Sequence, residues 1–287
     1  MKLLITGANG QLGQALQRAQ AMMGGDIDIL AVSRAELDIG DADAVAAFVD
    51  AAKPDLLINA AAYTAVDKAE SDIDAAFRIN GDAVGYLSRA ASAVGARFVH
   101  VSTDFVFDGE AGRPYRSDAP TAPLGVYGAS KRRGEELAGA GALIVRTAWV
   151  YGGHGNNFVR TMLRLMAERD ELRVVADQIG TPTWATSLAQ AIWKLVAADA
   201  RGIYHYTDSG AASWYDFAVA IQEEALAIGL LDRAIPVLPI PSSAYSTPAR
   251  RPHYSILDKE ATSALIGAPP HWRSNLRLML AEVCAGS

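Results

Sequence analysis

The sequence predicts an α/β protein: a doubly wound parallel sheet with a smaller C-terminal region. Three observations lead there. Short apolar runs alternate with Ala-rich helical stretches through the first half of the chain. A glycine turn follows the first apolar run. Beyond residue 150 the alternation loosens, so 1–150 is expected to form the sheet domain and 151–287 a less regular region, with some elements returning to the core.

Leu3–Thr6, Ile27–Val32, Leu56–Asn59, Phe98–Ser102 and Leu143–Thr147 are short and apolar. Such runs suit parallel strands buried on both faces. Between them Leu12–Ala21, Ala42–Ala52, Ala75–Val94 and Ala129–Ala138 are rich in helix formers. Strands alternating with helices read as βαβ units with right-handed crossovers. Gly, Pro and Asp mark the joins, as in Lys53-Pro54-Asp55. Further on, Phe158–Glu168, Leu188–Ala197 and Trp214–Ile228 read as helices, and Leu172–Val175 and Gly202–Tyr206 as strands. Residues 235–252 contain five prolines and few helix formers, which predicts an ordered loop.

The 287 residues are 51% hydrophobic, enough to bury a full core. A formal net charge of -6, with scattered Lys and Arg, gives no electrostatic footprint for nucleic acid. Cys284 is the only cysteine, so no intrachain disulfide forms, and a reducing compartment is consistent with that. No apolar run reaches membrane-spanning length, and no cleavage pattern opens the chain. A cytoplasmic protein with no membrane partner is expected. His100, His154, His205, His253 and His271 show no metal-binding spacing, so no catalytic metal is expected.

Gly7, Gly10 and Gly13 recur every third residue after the first strand. The spacing differs from the best-known dinucleotide fingerprint, but the physical task is the same. Glycines allow a tight turn and let backbone approach phosphate. A helix starting at Gln11 or Leu12 then aims free N–H groups at the anion. The bland alternative is a strand-to-helix turn that holds no ligand. Arg34 stands at the end of the second strand, about twenty residues past Gly13, where a base suits a 2′-phosphate. That favours NADPH, with NADH the alternative if Arg34 is only a surface charge. Asp38 and Ile39 follow where adenine would lie.

Tyr127 and Lys131 are four apart, on one face of a helix. A phenol titrates near 10, and a neighbouring ammonium brings that toward the working range. Such a pair can give or take a proton beside a nicotinamide. Ser102-Thr103 ends the fourth strand and offers a hydroxyl to a carbonyl. Ligands of open parallel sheets bind beyond these strand ends.

The glycine turn, Asn59-Ala60-Ala61-Ala62, Ser102-Thr103, Tyr127 and Lys131 occur in a telling order. With them the chain resembles the extended short-chain dehydrogenase/reductase family, which acts on nucleotide sugars. Longer strings narrow the resemblance to 4-ketosugar reductases: 64–70, Ser102 to Phe107, Trp149-Val150-Tyr151, Gly155 to Phe158 and Thr247 to Pro252. The resemblance implies a Rossmann-type NAD(P)-binding core and reduction of the C4 ketone of dTDP-4-dehydro-L-rhamnose to dTDP-L-rhamnose. It implies a catalytic set of Thr103, Tyr127 and Lys131, with Ala60, Ala61, Ala62, Tyr63 and Thr64 beside the cofactor. Thr103, Asp104, Phe105, Trp149 and Asn157 would meet the sugar, and Arg251 the substrate pyrophosphate, where a planar bidentate donor suits phosphate. Trp149 in the core, Arg251 on the surface and Asp104 capping a turn are the plain alternatives. An epimerase of the same fold and a non-catalytic regulatory subunit are the rival functions. Phe105 stands where a dehydratase needs an acid. Some relatives form dimers through Mg²⁺ held by glutamates, one of them in the helix after the glycine turn. Here that helix reads Gln14-Ala15-Leu16-Gln17, so a monomer or a weak metal-free dimer is expected.

Overall fold

The computed structural model describes residues 1–20 and 27–285. The first half runs β1 (Lys2–Thr6), α1 (Gln11–Ala19), β2 (Asp28–Val32), α2 (Ala42–Ala52), β3 (Leu56–Asn59), α3 (Val66–Ala69), α4 (Ile73–Phe77), a π-turn (Arg78–Asp82), α5 (Ala83–Ala93), β4 (Arg97–Thr103), α6 (Val126–Leu137) and β5 (Leu143–Thr147). The second runs β6 (Val150–Tyr151), α7 (Phe158–Glu168), β7 (Leu172–Val175), β8 (Ile179–Gly180), β9 (Thr183–Trp184), α8 (Ala185–Ala197), β10 (Gly202–His205), β11 (Ala212–Ser213), α9 (Trp214–Ala227), β12 (Val237–Ile240), α10 (Glu260–Ile266) and α11 (Trp272–Ala285).

The main sheet is parallel, in the order β2-β1-β3-β4-β5-β10. The chain reverses direction across the sheet between β1 and β3, which opens a crevice at their carboxyl ends. Leu3, Leu4 and Ile5 are all fully buried. Leu3 and Ile5 face α1 and α8 with Leu16, Leu188, Ile192 and Trp193, while Leu4 faces the opposite layer with Val45, Val49, Val84 and Leu87. Each such side chain stabilises the fold by about 1.5–3 kcal/mol on burial. This is why the strands read as unbroken apolar runs.

A second core fills the C-terminal region. Tyr151, Met162, Met166, Phe217, Ile221, Trp272 and Leu276 pack there. α7, α9 and α11 supply most of it, and Asn157 and Ser213 cap α7 and α9 by accepting from Arg160 and Asp216 backbone N–H groups.

The structure departs from the sequence expectations in a few places. The stretch 75–94 is not one helix: the π-turn adds a residue at Arg78–Asp82. Residues 235–252 contain strand β12, paired parallel to β7 from Val237↔Leu172 to Ile240↔Val175. Its partner lies far off in sequence, and proline hid it. Helix α6 begins at Val126 because Glu70 accepts its backbone N–H at 2.9 Å. The expected end of the first helix at Ala21 lies outside the described residues.

Candidate active site

A cavity of about 910 Å³ lies along the carboxyl ends of β1, β3, β4 and β5. The glycine turn forms one end. Gly7 has φ +74, and a Cβ there would meet Ala61 N at 2.7 Å. A Cβ on Gly13 would sit 2.2 Å from the Gly7 carbonyl oxygen. These two glycines serve backbone packing. Gly10 caps α1 without a side-chain hydrogen bond and lines the cavity with Gly7, Gln11 and Leu12. The free N–H groups of the first turn of α1 therefore face a space that suits an anion.

Arg34, Asp38 and Ile39 line the cavity beyond β2. Asp38 accepts from Gly40 N at 3.0 Å and pairs with Arg78 at 3.2 Å. Those contacts, the Gly40 hydrogen bond foremost, hold its carboxyl below the usual range. Ala60, Ala61, Ala62, Tyr63 and Thr64 form one wall. Asn80, on the π-turn, fixes that wall: Oδ1 accepts from Tyr63 N at 2.8 Å, while Nδ2 donates to Tyr63 O at 3.0 Å and Ser130 Oγ at 3.1 Å. The inserted residue thus turns Asn80 to tie the wall to α6, as π-turns at functional sites do.

Thr103, Asp104, Phe105, Tyr127 and Lys131 meet at the centre of the same cavity. Thr103 is the last residue of β4, in register with Thr147 on β5. Its hydroxyl donates to Asp104 Oδ1 at 2.9 Å and accepts from Phe105 N at 3.2 Å. Asp104 is 1% exposed, and burial pushes its carboxyl up to about 6. Its Oδ2 meets no partner among the described residues. Phe105 packs edge-on against the Tyr127 ring, with centroids 5.4 Å apart.

The Tyr127–Lys131 pair differs from its expected geometry. Lys131 Nζ donates to Val101 O at 2.6 Å and lies 3.4 Å from His100 Nε2. Burial pulls its amine down to about 8, against an opposing pull from Glu135. Burial also pushes the Tyr127 phenol up to about 12; Thr103 works against that and Asp104 adds to it. The expected lowering of the phenol by the lysine ammonium is not among these influences. At neutral pH the phenol is protonated, the form a reduction needs as proton donor.

The region beyond residue 148 supplies Trp149, Gly155, Asn156, Trp214 and Arg251 to the lining. Trp149 has φ +48, and its ring stacks on Trp214 at 3.5 Å with planes 6° apart. A Cβ on Gly180 would lie 2.6 Å from the Trp149 ring, so that glycine admits the stack. Trp214 lines the cavity and was not foreseen; an aromatic opening a predicted helix was the only available signal. Arg251 also lines it and grips Asp67 in a two-point pair, at 3.0 and 2.8 Å. The Asp67 carboxyl is held low by that hydrogen-bonded guanidinium. Asn157 is a correction. It does not line the cavity: its Nδ2 donates to Gln11 Oε1 at 3.0 Å and Gly152 O at 2.8 Å, and its Oδ1 caps α7. Neighbouring Gly155 and Asn156 take the lining position. Gly13 is also off the lining, behind Gly7.

A doubly wound sheet, a glycine turn and a Thr/Tyr/Lys set on one cavity define a reductase scaffold of the extended short-chain dehydrogenase/reductase type. The family described as RmlD substrate binding domain matches residues 1–285, and the chain belongs to that family. It is 45% identical to the dTDP-4-dehydrorhamnose reductase of Burkholderia thailandensis, over 99% of each chain. Two solved dTDP-4-dehydrorhamnose reductases superpose closely. One, from Clostridium acetobutylicum, has a TM-score of 0.92 and 39% identity, covering 99% of this chain and 100% of its own. The other, from Bacillus anthracis in complex with NADP, has a TM-score of 0.90 and 38% identity, covering 98% and 99%.

Proposed function

We propose that this protein reduces the C4 ketone of dTDP-4-dehydro-L-rhamnose to dTDP-L-rhamnose, with NADPH as reductant and NADH as the alternative. One observation carries the reading: the glycine turn and the Thr103/Tyr127/Lys131 set line a single cavity together with Trp149 and Arg251. The names of the relatives and the NADP held by the Bacillus anthracis enzyme support it.

The residues fit the cofactor. The first turn of α1 offers unpaired N–H groups beside Gly10, and Arg34 offers a guanidinium to a 2′-phosphate. Reduced nicotinamide, when bound, supplies the hydride. Tyr127 gives its proton to the oxygen that becomes the C4 hydroxyl. Thr103 holds that oxygen or the phenol by a hydrogen bond. Asp104, buried beside Thr103, accepts the Thr103 hydroxyl and fixes its direction next to the sugar. The Trp149–Trp214 stack provides an apolar wall for the sugar ring, and Arg251 keeps N–H donors for the diphosphate while Asp67 fixes its plane.

In this reading residues 1–150 bind cofactor and 151–287 mainly bind substrate, although β10 completes the main sheet and α8 packs on α1. α1 has no acid in its first turn, and no group of three or more His, Cys, Asp or Glu able to hold a metal occurs among the described residues. We keep a monomer or a weak metal-free dimer as the proposed state, on the sequence of α1 alone. No helix among the described residues is long and apolar enough to cross a membrane, and the cytoplasm is the proposed location. The test is to supply NADPH and dTDP-4-dehydro-L-rhamnose, made in place by an epimerase, and follow reduced-nicotinamide absorbance. Loss of absorbance matched by dTDP-L-rhamnose is expected. No loss above the epimerase-only control rejects the reading.

A further inference from the structure

We propose that His100 is a positioning residue: its tautomer, fixed by Asn59, sets the protonation of Lys131. The proposal rests on the catalytic role given to Lys131 above.

Thr6, Asn59 and His100 stand side by side in the register of β1, β3 and β4. All three are buried, His100 and Asn59 completely. Asn59 Oδ1 accepts from Thr6 Oγ1 at 2.7 Å and from Ala61 N at 3.2 Å. A backbone N–H can only donate, so the side-chain atom facing Ala61 is the oxygen. The amide nitrogen therefore faces His100 Nδ1, at 3.2 Å, and donates to it. Burial and the Lys131 charge hold the imidazole well below its ordinary value, so the ring is neutral. A neutral ring that accepts at Nδ1 carries its hydrogen on Nε2.

That Nε2–H points at Lys131 Nζ, 3.4 Å away. An ammonium has only donors and meets the N–H badly. A neutral amine accepts from Nε2–H through its lone pair and still donates to Val101 O at 2.6 Å. The locked tautomer therefore favours the amine. The other charged or titratable groups near the lysine are few. Glu135, one turn along α6, favours the ammonium, but its oxygens are engaged by Ser102 Oγ at 2.5 Å and by Arg146 of β5 at 2.9 and 2.7 Å. Tyr127 lies one turn back, and Asp104 bears on that phenol. From β1 and β3 only the neutral Thr6 and Asn59 join the chain of contacts.

A lysine that changes charge near neutrality can restore the acid. After the phenol has given up its proton, an N–H bond breaks on the Lys131 ammonium, water carries that proton to the Tyr127 oxygen where an O–H bond forms, and solvent recharges the amine. An ordinary lysine ammonium gives up its proton too reluctantly for this at pH 7.

The direct test is the histidine side-chain ¹⁵N spectrum of the full-length protein, with the His100 signals assigned by their loss in His100→Gln. The wild type should show hydrogen on Nε2 and none on Nδ1; hydrogen on Nδ1 overturns the proposal without any variant. Asn59→Asp makes both side-chain oxygens acceptors, which moves the hydrogen to Nδ1 and turns a lone pair toward Lys131. The alkaline limb of the kcat profile should then rise by about one pH unit or more, a ~10-fold change in the amine-to-ammonium ratio. Thr6→Val, which leaves the tautomer alone, should not move it. A folded Asn59→Asp protein with an unmoved limb, or an equal shift in Thr6→Val, overturns the proposal. Absence of ketosugar turnover in the wild type would sink the role of Lys131 but leave the tautomer result standing, so the two failures are distinguishable.

Discussion

Tyr127→Phe removes one oxygen from the centre of the cavity. The ring stays where it is: its edge-on contact with Phe105, at 5.4 Å between centroids, needs no hydroxyl. Removing the hydroxyl changes stability by about 1 kcal/mol. The chemical effect is far larger. With the phenol pushed up to about 12, Tyr127 enters the reaction protonated at every working pH. Among the described residues no second acid is poised to protonate the substrate in its place. Lys131 is held at Val101 O, and Asp104, at about 6, is largely ionised at pH 7. Loss of a positioned general acid costs roughly 10²–10⁴ in rate, or about 3–5 kcal/mol of barrier. The assay is steady-state reduction of the ketosugar with NADPH. NADPH affinity from nucleotide fluorescence and the melting temperature serve as controls. A fall in kcat of at least a hundred-fold, with NADPH affinity kept within a few-fold, is expected. A variant retaining a tenth of the wild-type rate would refute the assignment of Tyr127 as proton donor.

Arg34→Ala should raise the NADPH dissociation constant ~10- to 100-fold, the worth of a charged hydrogen bond of roughly 1.5–3 kcal/mol, and leave NADH nearly unchanged; equal losses for both would remove the 2′-phosphate argument. Gly13→Ala should lower both the melting temperature and NADPH affinity. Its Cβ would lie 2.2 Å from the Gly7 carbonyl oxygen, and overpacking of this kind costs roughly 1–3 kcal/mol. A variant matching wild type in both would show that the turn can relax. Trp214→Ala should raise the ketosugar KM and spare NADPH binding, because it strips the stacked partner from Trp149. Asp104→Asn tests the buried carboxyl. Its folded value is raised from 3.8 to about 6, so ionising it costs stability progressively as pH rises across that window, up to ~3 kcal/mol above it. The melting temperature of the variant relative to wild type should climb between pH 4 and 7; a constant difference would contradict the burial argument.

Much of the sheet was legible because burial on both faces leaves an unbroken apolar run, as in Leu3-Leu4-Ile5. The glycine turn, Thr103 and the Tyr127–Lys131 spacing were legible because they sit at strand ends and helix starts, where local chemistry shows. What could not be read depends on partners distant in sequence. β12 exists through pairing with β7, and α6 starts at Val126 through Glu70. The lysine's contacts with His100 and Val101 cross from α6 to β4. Asn157 misled because a string match locates a residue without showing which way its amide turns; here it caps α7. Helix α11 is legible in the sequence by its apolar spacing. Trp272, Leu276, Met279 and Leu280 follow helical spacing, and all four are buried.

In the proposed reaction one cavity brings a hydride donor, a protonated phenol and the C4 ketone together. The most direct measurement is transfer of label from NADPH carrying deuterium on the transferring face of nicotinamide C4, with the sugar product examined by NMR. The expected product is dTDP-L-rhamnose with one deuterium at sugar C4. Product without deuterium at C4, or labelled cofactor oxidised with none in the sugar, would contradict the proposed reaction.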